Sequence, residues 1–243
     1  SSSNTDLIAN PSVIYTSAES TGSIKFTPLA DQSGTSTITV SVEDGGLDNN
    51  LATTGDNLTT TQTFDVTVNP VNDVPTLGAL SDLSIEEDAA EQTVNLSGIT
   101  AGGGESQPMR VTTTSANTNL IPNPTVIYTS AESTGAIKLT PVADAHGSST
   151  ITVTVEDGGM DGDLNTAGDN LTHSETFTVT VDPVNDLPTL AVISDLTVDE
   201  DATEQTVIIS DIIAGGGESQ PLRVTAASDN TDLIANLPVT YTS

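Results

Sequence analysis

The sequence predicts an all-β chain of tandem antiparallel β-sandwich domains joined end to end, and three observations carry that prediction. The chain repeats itself every 113 residues: Tyr15, Tyr128 and Tyr241 stand in Val13-Ile14-Tyr15-Thr16-Ser17, Val126-Ile127-Tyr128-Thr129-Ser130 and Val239-Thr240-Tyr241-Thr242-Ser243. A unit of that length is too long for a small solenoid repeat and fits one sandwich domain. Within each unit, apolar and hydroxyl residues alternate, as in Thr150-Ile151-Thr152-Val153-Thr154-Val155 and Thr176-Phe177-Thr178-Val179-Thr180-Val181. That period of two puts Ile, Val and Phe on a core face and Thr toward water. Finally, Pro70-Val71-Asn72-Asp73-Val74-Pro75-Thr76 returns as Pro183-Val184-Asn185-Asp186-Leu187-Pro188-Thr189. Paired prolines hold such a segment extended and keep it from forming helix, so it reads as a stiff hinge.

The hinge sets the domain boundaries. Residues 1–73 are the back of one repeat, 74–186 a complete repeat, and 187–243 the front of a third. Inside the complete repeat seven strands are predicted near Leu77–Ile85, Gln92–Ile99, Met109–Thr114, Thr125–Thr129, Ala136–Thr140, Ser149–Val155 and Glu175–Val181. No stretch has a helical period, and seven strands with turn residues between them give Ig-like topology. The terminal units read as a window cut from a longer array, each half completed by neighbouring chain. In an alternative, 187–243 of one molecule joins 1–73 of the next, building a filament by strand complementation.

Composition narrows the partners. Thirty-four acidic residues face only Lys25, Arg110, Lys138 and Arg223, a formal net charge of −30. Such a surface repels nucleic acid and anionic membranes, and its self-repulsion favours bound counter-ions. The chain has no cysteine, so disulfides and thiolate metal sites are excluded. No apolar run reaches membrane-spanning length, so membrane insertion is not expected. Six aromatics leave the core to Val, Ile, Leu and Ala.

Strands that alternate in direction gather their loops at the two ends of a sandwich. One end of the complete repeat collects Asn72-Asp73, the loop Ala101-Gly102-Gly103-Gly104-Glu105-Ser106-Gln107, and the loop running from Glu156-Asp157-Gly158-Gly159 to Asp169-Asn170. The far end collects Glu86-Glu87-Asp88, Asp144, Asp182, Asn185 and Asp186. Each joint thus brings together acids from two domains and a hinge. Calcium takes six to eight oxygens, which clustered Asp, Glu, Asn and backbone carbonyls supply.

Val-Asn-Asp-x-Pro-Thr in the hinge, Glu-Asp-Ala after the first strand and Val-Glu-Asp-Gly-Gly closing the sixth resemble bacterial cadherin-like tandem repeats of long surface and secreted proteins, adhesins among them. The resemblance spans the whole chain. It implies calcium ligands at Glu87 and Glu200, at Asn72, Asp73, Asn185 and Asp186, and at Asp44 and Asp157. Asp161 and Asp163 add local candidates, and of their counterparts Asp48 and Asn50 only the first is an acid. Cadherins carry Asp-x-Asp after the second strand, whereas this chain has Gly-Gly-Gly-Glu, leaving Glu105 and Glu218 as substitutes and implying fewer or weaker ions.

Catalytic motifs are lacking. His146 aligns with Ser33 and His173 with Thr60, outside the repeated plan, and both read as surface-loop residues. A triad would need a histidine held by a buried carboxylate, and no sequence motif places one. Few aromatics leave no sugar-stacking platform for glycoside hydrolysis, and Gly102-Gly103-Gly104 lacks the Lys of a phosphate loop. Asn57-Leu58-Thr59 and Asn170-Leu171-Thr172 match the glycosylation sequon. The expected function is non-enzymatic: a segment of an extracellular or cell-surface fibre, bacterial by resemblance, stiffened by calcium, whose partners are neighbouring repeats or like chains. The alternative is a module binding a surface glycan or protein through avidity.

Overall fold

The computed structural model describes residues 1–17, 19–235 and 239–241, so Thr242 and Ser243 of the third Tyr-Thr-Ser copy lie outside the described residues. It is identified among those residues by eleven strands and no α-helix. Residues 1–73 carry β1 (Ser12–Ile14), β2 (Ser23–Lys25), β3 (Gly34–Glu43) and β4 (Thr59–Val68). Residues 74–186 carry β5 (Leu83–Glu86), β6 (Gln92–Ser97), β7 (Met109–Ser115), β8 (Thr125–Ile127), β9 (Thr134–Leu139), β10 (Gly147–Asp157) and β11 (Thr172–Asp182). Six of the seven expected strands recur with bounds moved by one to three residues.

In the complete repeat a four-stranded sheet, β5-β11-β10-β7, faces a three-stranded one, β6-β9-β8. The alternation read from sequence sets the faces. Ile151, Val153 and Val155 of β10 and Phe177, Val179 and Val181 of β11 point inward, and Ile151 pairs with Phe177 across the ladder. They join Leu96, Ile99, Met109, Val111, Ile137 and Leu139 in one buried cluster. Burial of a side chain of this size contributes about 1.5–3 kcal/mol, which is what holds two Thr-rich sheets together without a large aromatic core.

The first expected strand, Leu77–Ile85, is two pieces in two sheets. Thr76 bridges Thr100, and the Gly78 N–H donates to the Ser97 carbonyl at 2.8 Å, on the β6 side. The chain then crosses over, and β5 runs parallel to β11, with Ile85 beside Val181. Among the described residues this is the one parallel strand pairing. Gly78 permits the close approach, since a Cβ there would stand 2.9 Å from the Ser97 carbonyl. The Asp82 Oδ1 receives the Thr178 N–H at 2.7 Å and fixes the crossing. Leu77, Leu80, Leu83 and Ile85 all reach the same core. Their spacing changes from three to two where the chain changes sheets.

The stretches on either side carry fewer strands among the described residues. β1 pairs with β2 and β3 with β4, above a small cluster of Leu7, Ile8 and Ile38. Residues 187 onward hold the bridge Thr189–Ile213 and turns, without a named strand among the described residues.

Candidate metal centre

Where β11 leaves the complete repeat, three carboxylates meet. Asp88, Asp144 and Asp186 each place an oxygen within 4.8 Å of the others. Three different segments deliver them. The turn after β5 holds Asp88 at φ +62°, and the loop before β10 holds Asp144 at φ +57°. Asp tolerates this left-handed conformation better than most residues. The Asp144 N–H donates to Asp88 Oδ1 at 3.3 Å, tying the two turns together.

The hinge delivers the third carboxylate. Glu87, almost fully buried, accepts the Val184 N–H on Oε1 at 2.7 Å, while its own N–H donates to the Asp182 carbonyl. Beyond it, the Asp186 N–H donates to Glu218 Oε2 at 3.1 Å, and Gln220 Nε2 donates to Asn185 Oδ1 at 2.7 Å. The hinge is therefore clamped from both sides, by Glu87 of one unit and by Glu218 and Gln220 of the next.

The electrostatics of the cluster are unfavourable as it stands. Desolvation raises the Asp186 carboxyl above its ordinary value, and the charges of Asp144, Asp88, Glu218 and Glu87 add to the rise. Asp186 Oδ2 and Glu87 Oε2 are sealed from solvent without a hydrogen-bond donor. A buried anionic oxygen lacking a partner is costly. His146 Nδ1 lies 3.6 Å from Glu87 Oε2 and is the one nearby side chain capable of positive charge among the described ion pairs. Hard oxygens without thiolate or a saturating set of donors fit a calcium-class cation.

The opposite end of the same repeat shows the other half of a joint. Asp157, fully buried, accepts the N–H groups of Gly159 and Leu171 and the Asn72 amide on Oδ1. Asn72 also donates to the Asp169 carbonyl and accepts from Gln107, and the Asp73 N–H donates to Glu105 Oε2. Asp157 Oδ2, Gln107 Oε1 and Asn170 Oδ1 are sheltered and unpartnered. Asn72, Asp73, Glu105 and Gln107 are the 113-residue counterparts of Asn185, Asp186, Glu218 and Gln220. The two ends are thus overlapping views of one repeated joint.

The triple glycine has a structural use that its sequence did not disclose. Gly102, Gly103 and Gly104 have φ of +94°, +46° and +76°, and Gly215, Gly216 and Gly217 repeat the pattern. A Cβ on Gly103 would collide with the Asp73 carboxylate, and one on Gly216 with that of Asp186. The loop wraps the hinge aspartate so closely that only glycine fits. Gly-Gly-Gly-Glu is a clamp on the hinge.

The remaining expected ligands lie elsewhere. Asp182 stands at the end of β11 and accepts the Ser84 hydroxyl at 2.7 Å. Asp161 accepts the Asp163 N–H and the Thr166 hydroxyl, Asp163 accepts from Asn165, and Asp48 accepts from Asn50 and Thr53, so these acids brace their own loops. Asp44 Oδ1 accepts from Gly46 and Leu58, as Asp157 does in the next unit. Glu200, counterpart of Glu87, lies in an exposed turn. Sequence reading placed Gln107 and Asn170 in the gathered loops but gave neither them nor Gln220 a contact to the hinge; the recurrence of Gln at the 113-residue spacing was the available signal.

No family model matches the chain, and no characterised protein sequence matches it. Among solved structures it is similar to domains 1–6 of the surface-layer protein SbsC, at 16% identity over 88% of this chain and 24% of that one, with a TM-score of 0.35. It is also similar to extracellular cadherin domains 3–6 of protocadherin gamma B2, at 13% identity over 78% and 45% of the two chains, with a TM-score of 0.39. The chain spans about a quarter of the first of these structures and under half of the second.

Proposed function

We propose that this chain is a non-catalytic, structural segment of an extracellular or cell-surface tandem-repeat fibre, whose joints are set by calcium. The observation that carries the reading is the convergence of Asp88, Asp144 and Asp186 from two loops and a hinge, with Asp186 Oδ2 sheltered and unpartnered. Asp88 and Asp144 would hold the ion from the body of the repeat, Asp186 from the hinge, and the buried Glu87 from behind. When bound, the cation supplies the positive charge that these oxygens lack. Glu218 and the Gly215–Gly217 loop orient Asp186 through its backbone, so that occupancy couples the hinge to the next unit.

Such a joint resists bending when filled and relaxes when emptied. Extracellular calcium modules bind at about 10⁻⁴–10⁻³ M, so this device responds to calcium outside cells. At tenfold its dissociation constant a site contributes about 1.4 kcal/mol. Calorimetric melting and small-angle scattering, with calcium and with chelator, test the reading. Calcium is expected to raise Tm and lengthen the particle, and Asp144→Asn to weaken that response about tenfold or more. Identical melting and dimensions in both conditions would overturn it.

A further inference from the structure

The hinge is gripped unequally from its two sides. Toward the repeat that follows, it is held by partners that need no cation. The Asn72 amide donates to Asp157 Oδ1 at 3.1 Å and to the Asp169 carbonyl at 2.9 Å, and its own oxygen accepts from Gln107. The Asp73 N–H donates to Glu105, and the Val74 carbonyl lies so close to Gly102 that a Cβ there would collide with it. Thr76 bridges Thr100 and donates its hydroxyl to the Gly98 carbonyl at 2.7 Å. Asn185–Thr189 repeats the grip, with Gln220 on Asn185, Glu218 on the Asp186 N–H, Gly215 against the Leu187 carbonyl and Ile213 beside Thr189. Toward the repeat that precedes, the grip is thin. β11 ends at Asp182, Pro183 has no N–H, and among the described residues a single hydrogen bond ties Val184, its N–H to Glu87 Oε1. Beyond it Asp186 faces Asp88 and Asp144, whose like charges push it away.

We infer that each hinge is built into the repeat that follows it and that the metal-free joint bends at one point, Pro183-Val184, a reading that rests on the calcium proposal only for what braces the bend. A bend beyond Asn185 would break several contacts together: the Gln220 amide bond, the Asp186 N–H bond to a charged carboxylate and the Thr189 bridge. Bonds to a charged acceptor are about twice as strong as neutral ones, so Glu105 and Glu218 hold firmly. A bend at Pro183-Val184 breaks the one bond to Glu87 and lets like charges separate. Pro183 fixes its own φ, so the motion falls to Pro183 ψ and to the backbone angles of Val184. A cation held by Asp88 and Asp144 on one side and by Asp186 on the other spans this pivot. The hinge and the repeat after it then move as one body, and the cation joins that body to the repeat before it.

Pulsed electron-spin distance measurements on the 243-residue chain test this, and the lack of cysteine makes site-directed labelling clean. One label goes at Thr176→Cys, exposed midway along β11. The second goes at Val74→Cys or at Leu187→Cys, the same hinge position at the two ends of residues 74–186 and exposed at both. In chelator the 74–176 distance distribution should be narrow and the 187–176 distribution broad. Calcium should narrow the second and leave the first unchanged. Glu105→Ala with Gln107→Ala, two loop positions outside the apolar core, should broaden 74–176 in chelator and leave 187–176 as it was. Two equally narrow or two equally broad distributions in chelator would overturn the pivot, as would a clamp variant that keeps 74–176 narrow. A 187–176 distribution that is broad in chelator and stays broad in calcium, beside a narrow 74–176, supports the pivot and sinks the calcium reading alone.

Discussion

Asp186 is the residue on which the joint turns. Desolvation and four neighbouring acids raise its carboxyl pKa, so in the metal-free fold it binds a proton more tightly than in the unfolded chain. The sign follows from linkage: a raised carboxyl destabilises the fold above its folded pKa, and that loss is relieved as pH falls through it. Metal-free chain should therefore gain Tm on mild acidification relative to Asp186→Asn, measured as a difference between two pH–melting curves. With calcium the sign reverses, because protons compete for the same oxygens and acid should weaken binding. Asp44 and Asp161 behave oppositely. The N–H groups of Leu58 and Gly46 lower the first, and the Thr166 hydroxyl and Asp163 N–H the second. Their contributions are present above the ordinary carboxylate range and lost as pH falls below it.

At the scale of elements, β10 and β11 carry the fold, and their counterparts β3 and β4 have the same pattern in a different setting. Phe177 sits in a sealed core beside Ile151, so Phe177→Ala should cost about 3–5 kcal/mol in chemical denaturation. Phe64 is its counterpart on an open face, where Phe64→Ala in dilute solution should cost less than about 1 kcal/mol. Equal losses at the two positions would mean that the face is already covered. The contrast shows that the alternation of apolar and hydroxyl residues sets which side of a strand is apolar, while burial depends on whether residues 77–111, or their counterparts, lie across it.

Over the whole molecule the governing quantity is charge. A net charge of −30 on 243 residues opposes compaction everywhere, most strongly where hinge and loops converge. Monovalent salt should raise Tm gradually by screening. Calcium should act at much lower concentration and in a saturable way, and a melting titration with each salt separates the two. In the fibre proposed above, length would grow by adding units and stiffness by filling joints, as in repeat proteins whose units contact only their neighbours.

Much of this was legible in the residues. The 113-residue period, the all-β class, the strands and the gathering of acids at the ends follow from alternation, turn chemistry and the antiparallel rule, all of which are local or periodic. Tertiary structure decided the rest. It split Leu77–Ile85 between two sheets, because one apolar run can serve both faces of a single core. It brought Asp88, Asp144 and Asp186 within reach of one another, while Asp48, Asp161 and Asp163 brace their own loops, because only folding shows which acids meet. It also gave the triple glycine its purpose, since how closely a backbone must pass an aspartate is a distance between segments, and no spacing along the chain encodes it.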